Sequence, residues 1–280
     1  MSYMEDAKFE TLLNILKGMQ KVLLAYSGGA DSTLLLKSLM LAGVETLAVK
    51  AVSEIIPAYD RLTAEETAKQ LGTDLRVLTI DALSNEDFTL NTADRCFICK
   101  ANLFKTLEDI ASAEGYGFIL DGSNSDDDAD FRPGRDAASE YKVRSPLLEA
   151  RLSKDEIREI SRRLGLSTYN KPSSSCLATR IPYGKRITRK ALTRIEKSED
   201  LLRSLGFQEI RVRDHGELAS IEVGKNQIRL LLEPERREKI LMGFKSFGYI
   251  FVSLDMEGYR SGSLNLFLQR DPDKWTTRNT

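Results

Sequence analysis

The run Val22-Leu23-Leu24-Ala25-Tyr26-Ser27-Gly28-Gly29-Ala30-Asp31-Ser32 constrains this chain more than any other stretch. A short apolar segment with the character of a buried strand ends in Ser-Gly-Gly-x-Asp-Ser, and a leucine-rich helix follows over 33–40. Gly28 and Gly29 have no side chains, so the backbone can turn sharply and come close to a ligand. The N–H groups of the loop and of the first helical turn have no intrahelical partners, and the helix dipole favours an anion in front of them. Ser27 and Ser32 add hydroxyl donors. Each hydrogen bond to a charged oxygen contributes roughly 1.5–3 kcal/mol net. Several together can hold a pyrophosphate group without a lysine in the loop. An ordinary Gly-Gly turn is the plainer reading, but it leaves the serines, the aspartate and the strand–helix context unexplained. No Walker A sequence occurs, and no Gly-x-Gly-x-x-Gly follows a strand.

Around this loop the chain alternates between two periodicities. Phe9, Leu12, Leu13, Leu16 and Met19 recur at helical spacing and predict a first helix. Residues 46–52 and 75–80 read as strands, with a helix between them opened by Thr63-x-x-Glu66, the spacing of a capping box. Residues 101–113 are amphipathic, 117–120 read as a fourth strand ending at Asp121-Gly122, and 142–147 read as a fifth. Ser153-x-x-Glu156 caps the next helix. This alternation predicts an α/β fold, a parallel sheet with helices on both faces. In such sheets ligands sit at the carboxyl ends of the strands.

The texture changes over 167–186, which holds Pro172, Ser173, Ser174, Ser175, Pro182 and Gly184 with Cys176 in the middle. We read it as an active-site loop between a domain at 1–166 and a smaller α+β domain at 187–265, with a tail at 266–280. In the second domain, a helix over 189–205 is stopped by Gly206. Strands at 209–213 and 219–223 flank a turn at Asp214, a helical stretch covers 226–247, and a last strand covers 249–254.

The length of 280 residues and the 41% hydrophobic, 30% charged composition fit a two-domain globular chain. No apolar run is long enough to span a bilayer. Residues 1–8 carry two acids and no apolar core, so they do not read as a signal peptide. Three cysteines without an export signal point to a reducing cytoplasm. A net charge of −1 offers no broad basic field and argues against a polynucleotide partner. The acidic run Asp126, Asp127, Asp128, Asp130 would help to hold Mg²⁺ if it faced a nucleotide. A solvated, mobile loop is its plainer reading.

Cys96 and Cys99 form a C-x-x-C at the mouth of the 101–113 helix, and Cys176 is the third cysteine. A redox pair needs no third thiol. A structural zinc needs four ligands, and His215, the single histidine, would have to complete the set. Small buried core residues are a further reading. An iron–sulfur cluster uses thiolates, often at this spacing, and three of them on a four-iron cluster leave one iron open.

The loop at 27–32 looks like the PP-loop of the N-type ATP pyrophosphatases, whose fold is HUP-like. It is joined by Leu120-Asp121-Gly122-Ser123-Asn124, Asp130-Phe131-Arg132-Pro133-Gly134, Arg144-Ser145-Pro146-Leu147, Arg211-Val212-Arg213 and the long word from Lys171 through Cys176-Leu177-Ala178-Thr179-Arg180-Ile181-Pro182-Tyr183-Gly184. Together these resemble the LarE family over about 10–265. The PP-loop alone is shared widely; the Cys-Leu-Ala-x-Arg-Ile-Pro-Tyr-Gly word with Phe-Arg-Pro-Gly is far more specific.

The resemblance implies an ATP-dependent sulfur transferase in the synthesis of the nickel-pincer nucleotide cofactor. Such an enzyme adenylates a pyridinium biscarboxylic acid mononucleotide and converts its carboxylates to thiocarboxylates. By that resemblance Ser27, Gly28, Gly29, Asp31 and Ser32 hold ATP pyrophosphate and Mg²⁺, and the backbone at Ala51 and Ser53 meets adenine. Thr179, Arg180 and Arg211 bind the mononucleotide phosphate, with the Glu199 and Glu222 carboxylates nearby. Surface salt bridges are the plainer reading of these last five. In one branch of the family the cysteine matching Cys176 gives up its own sulfur. In the other, cysteines matching Cys96, Cys99 and Cys176 hold a 4Fe-4S cluster that carries a transferable sulfide. This chain has all three and resembles the cluster branch. Sulfide or another sulfur donor is then a partner, and a homo-oligomer is allowed.

Two other enzyme readings share the PP-loop. A tRNA thiolase would normally bring an RNA-binding module and further cysteines, and an amidotransferring synthetase has no use for three thiols. A nucleotide or iron–sulfur sensor needs no leaving-group chemistry.

Overall fold

The computed structural model describes residues 7–129, 133–172, 174–260 and 262–266. The chain forms two compact units, the first made of 1–80 and 96–174, the second of 81–95 and 175–280. The second unit thus takes fifteen residues from the N-terminal half.

The first unit begins with α1 (Ala7–Lys17), β1 (Lys21–Ala25), α2 (Ala30–Leu41), β2 (Glu45–Val52), α3 (Ala58–Gln70) and β3 (Leu75–Thr79). The strands lie in the order β3-β2-β1 with β4 (Phe118–Leu120) beyond β1, and all neighbours are parallel. The chain therefore moves outward from β1 in one direction and then returns to its other side. The crevice at the carboxyl ends of β1 and β4 is the switch point at which such sheets bind ligands.

Period-two alternation explains the layering. Val22 and Leu24 of β1 join Phe9, Leu12, Leu16, Leu35, Leu39, Ile157 and Ile160 in one core, all buried. Leu23 faces the other way and packs with Val49, Phe104, Leu107 and Ile119. Each fully buried side chain of this size contributes about 1.5–3 kcal/mol. The second core is covered from α5 (Arg95–Glu114) and α6 (Pro133–Glu140), the first also from α8 (Lys154–Arg163). Ser153 caps α8 with the expected reciprocal box to Glu156.

Three local expectations change. The helix around Thr63 starts earlier, at Ala58 after Pro57, so Thr63 lies inside α3 and its hydroxyl donates back to Tyr59 O at 3.0 Å. The helix expected over 101–113 starts at Arg95, which puts Cys96 and Cys99 within its first turns. The fifth strand is absent. Arg144 makes a single parallel bridge to Leu120, and the four-residue helix α7 (Pro146–Glu149) follows at once. Pro146 has no N–H to extend the ladder, and Lys142 enters with φ 52°, which bends the approach.

The second unit holds α4 (Glu86–Thr89), α9 (Arg189–Ser204), β5 (Ile210–Asp214), β6 (Leu218–Val223), α10 (Ile228–Leu231), α11 (Pro234–Ser246) and β7 (Phe251–Leu254). Its sheet runs β5-β6-β7, with β5 and β6 antiparallel and β6 and β7 parallel. Ile210, Val212, Ala219, Ile221 and Val223 pack on Leu202, Ile240 and Phe244. By the same alternation Arg211 and Arg213 share the opposite face of β5. Among the described residues no helix is long and apolar enough to cross a membrane. The tail beyond 266, and Asp130, Phe131, Arg132 and Ser173, lie outside the described residues.

Candidate active site

In the first unit the loop after β1 is built as its sequence predicts. Gly28 has φ 78°, and a Cβ there would lie 2.3 Å from Ala64 Cβ on α3. Only glycine fits both the left-handed backbone and the close approach of that helix. Gly29 is the N-cap of α2, and no side chain caps this end. Ser32 Oγ accepts from Gly28 N at 3.1 Å, Ser27 Oγ accepts from Gly29 N at 3.3 Å, and the two hydroxyls meet at 2.9 Å. The serines thus lie beside the N–H groups that would face an anion.

The loop after β4 closes the crevice. A Cβ on Gly122 would lie 3.0 Å from Ser32 N, so this glycine lets the second loop approach the start of α2. Asp121 is fixed by Ser123 N (3.1 Å), Ser123 Oγ (2.8 Å) and Ser145 Oγ (2.7 Å). The acidic run is hydrogen-bonded at its start, and Asp127 is buried. Asp126 accepts from Lys154 N at 2.7 Å. Asp127 accepts from Asn124 N at 3.2 Å and from Lys154 Nζ at 3.1 Å.

Burial, and then the nearby Asp127 charge, push the Asp31 carboxyl up to about 6, against the opposing pull of Lys154, Asn124 and Arg158. An ionised Asp31 at neutral pH is therefore held at a cost that a cation would relieve. Mg²⁺ usually takes one or two carboxylates together with phosphate oxygens and water. Asp31 fits that demand as a single protein ligand beside a nucleotide. Ala51 and Ser53 lie at the carboxyl end of β2, the strand next to β1.

In the second unit Cys176 precedes a short 3-10 turn, Leu177–Arg180. Arg180, 1% exposed, divides its guanidinium between Glu199 of α9 and this turn. It pairs with Glu199 at 2.8 and 2.9 Å, and its Nη1 donates to Ser175 O and Cys176 O at 2.7 and 3.0 Å. Thr179 Oγ1 donates to Cys176 O at 2.7 Å. Arg213 forms a two-pronged pair with Glu222 and donates to Thr179 O at 2.7 Å. These ion pairs are buried rather than on the surface. Thr179, Arg180, Glu199 and Glu222 thus hold one another and the Cys176 turn. Arg211 differs. It lies over the Tyr259 ring and donates to Ile210 O at 2.7 Å, with no carboxylate of the described residues at ion-pair distance. Burial, then the neighbouring Arg180 charge, lower its pKa. An under-compensated guanidinium of this kind suits a phosphate.

The three cysteines are half-buried thiols with no disulfide among them. Cys96 and Cys99 are three apart in α5 and share a helix face. Among the described residues no three His, Cys, Asp or Glu side chains stand together as a ready metal-ligand set.

No family model matches the chain. It is 36% identical over 260 residues, 92% of its own length and 94% of the relative's, to the pyridinium-3,5-bisthiocarboxylic acid mononucleotide synthase of Lactiplantibacillus plantarum. The chain belongs to the LarE family. Uncharacterized proteins of Synechocystis, 38% identical over 95% of this chain and 100% of theirs, and of Methanocaldococcus jannaschii, 33% identical over 86% and 92%, are similar along their length.

Sequence reading missed several residues that build the site of this LarE-family enzyme. Lys50 donates to Ser27 O at 2.6 Å, and Lys171 donates to Gly28 O at 3.1 Å. Asn124 stands beside Asp31, and Arg213 braces the Cys176 turn. The Asn124 signal was present in the Asp-Gly-Ser-Asn word at the end of β4. Lys50 carries no signal, because a lysine in a strand usually reads as its solvent side.

Proposed function

We propose that this enzyme is an ATP-dependent sulfur transferase that converts the carboxylates of a pyridinium mononucleotide to thiocarboxylates, as a step towards the nickel-pincer nucleotide cofactor. The observation that carries the reading is the 27–32 loop at the carboxyl end of β1, where the Ser27 and Ser32 hydroxyls meet and each accepts from a glycine N–H, with Asp31 in the first turn of α2. A substrate carboxylate oxygen attacks the α-phosphorus of ATP, and the bond to the β-phosphate breaks. Pyrophosphate leaves into the loop, whose N–H groups and hydroxyls take up its charge. Asp31 would hold Mg²⁺, which when bound would offset the charge of the leaving pyrophosphate. A sulfur nucleophile then attacks the acyl carbon, and AMP leaves with the former carboxylate oxygen.

Arg211 binds the mononucleotide phosphate, while Arg180 and Arg213 keep the Cys176 turn in shape. Cys96, Cys99 and Cys176 are the ligands of a 4Fe-4S cluster, which when bound supplies the transferable sulfide. The shared face of Cys96 and Cys99 at the start of α5 supports this ligand set. Sulfide or another sulfur donor restores the sulfur after each cycle.

Arg211→Ala tests the acceptor assignment. Losing charge-assisted contacts to one phosphate should weaken mononucleotide binding about 10- to 100-fold and leave ATP affinity unchanged, measured by calorimetry with each ligand. Equal weakening of both ligands would contradict it, as would salt-sensitive tRNA binding with thiolated nucleosides as product.

A further inference from the structure

The PP-loop has no lysine of its own, yet two ammonium groups reach its backbone. Lys50, from β2 and 4% exposed, donates to Ser27 O at 2.6 Å. Lys171, from the segment after α8, donates to Gly28 O at 3.1 Å and to Thr63 Oγ1 at 2.8 Å, with Asp60 at 3.6 Å. Asp60 also accepts from Ser174 Oγ, so α3 holds both Lys171 and Ser174.

These bonds fix two consecutive peptide planes. In a trans peptide the C=O and the following N–H point in opposite directions. An ammonium on Ser27 O therefore turns Gly28 N–H away from Lys50, and it is found on Ser32 Oγ. An ammonium on Gly28 O turns Gly29 N–H away from Lys171, and it is found on Ser27 Oγ. Without these lysines a Gly-Gly backbone has many other conformations open to it. Burial lowers the pKa of both groups, that of Lys50 to about 8, so each ammonium is kept at a desolvation cost.

We propose that Lys50 and Lys171 are positioning residues that clamp the carbonyls of Ser27 and Gly28 away from the nucleotide, so that Gly28 N–H and Gly29 N–H stay on the serine hydroxyls and the loop holds those hydroxyls in place for pyrophosphate before ATP arrives. The proposal rests on reading this loop as the ATP pyrophosphate cradle. It assigns the clamp to residues outside the motif, one in the neighbouring strand and one more than a hundred positions downstream. Their two positive charges lie on the loop's own carbonyls, where they add to the field of the α2 terminus.

Binding of ATP and of AMP, each with Mg²⁺, to the full-length chain tests the clamp by calorimetry. Lys50→Met and Lys171→Met should each raise the ATP dissociation constant about tenfold or more and leave AMP binding unchanged. In turnover the KM for ATP should rise more than kcat falls, and Lys171→Arg should restore most of the loss. Should Lys171→Met not fold, Lys171→Gln is read in the same way. Unchanged ATP binding in both variants would overturn the clamp, as would equal weakening of ATP and AMP. A wild-type chain that binds ATP no more tightly than AMP, and from which pyrophosphate displaces nothing, would instead overturn the cradle reading, and the clamp with it.

Discussion

Gly28→Ala should abolish ATP cleavage and destabilise the first unit by about 2–5 kcal/mol. Two penalties act together. An alanine at φ 78° adopts the left-handed region that a Cβ disfavours, and that Cβ would lie 2.3 Å from Ala64 Cβ and 2.7 Å from Ala64 Cα. The clash is with α3 itself rather than with a flexible side-chain end, so either the loop or the helix must move. Movement of the loop removes Ser27 Oγ and Gly29 N from their mutual arrangement. Gly29→Ala is the matched control. Gly29 has φ −84°, and its Cβ would meet nothing closer than Ser27 Oγ at 3.5 Å. Thermal unfolding and pyrophosphate release of the two variants check the contrast. A Gly28→Ala protein with wild-type stability and turnover would show that α3 does not press on the loop.

Cys96→Ala should remove iron binding and sulfur transfer together while leaving adenylation intact. The wild-type chain, prepared and reconstituted without oxygen, should carry about four irons with matching sulfide and the broad visible absorption of thiolate-bound iron. The variant should lose that absorption and still release pyrophosphate in the presence of acceptor. If a cluster is bound, it should also protect Cys96, Cys99 and Cys176 from alkylation. The opposite result is specific. If Cys176 gives up its own sulfur, mass spectrometry after one turnover will find the residue lighter by about 34 Da, the mass of hydrogen sulfide. Activity in Cys96→Ala would then match the wild type.

The parts legible in the sequence are those in which one segment suffices for its own structure. The β1–loop–α2 word predicts its strand, its glycine turn and its helix start, because strand burial and loop conformation are both local. Ser153 and Glu156 form a capping box for the same reason. Long-range neighbours decide the rest. The 142–147 segment reads as a strand, but Pro146 ends its pairing after one bridge. Thr63 looked like a cap, and tertiary context uses its hydroxyl for Lys171 instead. Arg180, Glu199 and Glu222 read as phosphate-site residues or surface salt bridges, because nothing local shows that a turn, a helix and a strand enclose them as buried pairs. Their burial gives them a different task. A paired, desolvated guanidinium costs about 3–5 kcal/mol when its partner is removed, which makes it a rigid brace for the Cys176 turn.

The measurement that tests the central claim most directly follows ATP and the acceptor together. The enzyme, ATP, Mg²⁺, sulfide and the carboxylated pyridinium mononucleotide are incubated without oxygen, and the phosphorus products and the acceptor mass are read from the same sample. Sulfur transfer through an acyl-adenylate predicts AMP and pyrophosphate in equal amounts, with sulfur replacing oxygen in the acceptor carboxylates. Formation of ADP and phosphate, or an acceptor recovered without sulfur while ATP is consumed, would contradict it.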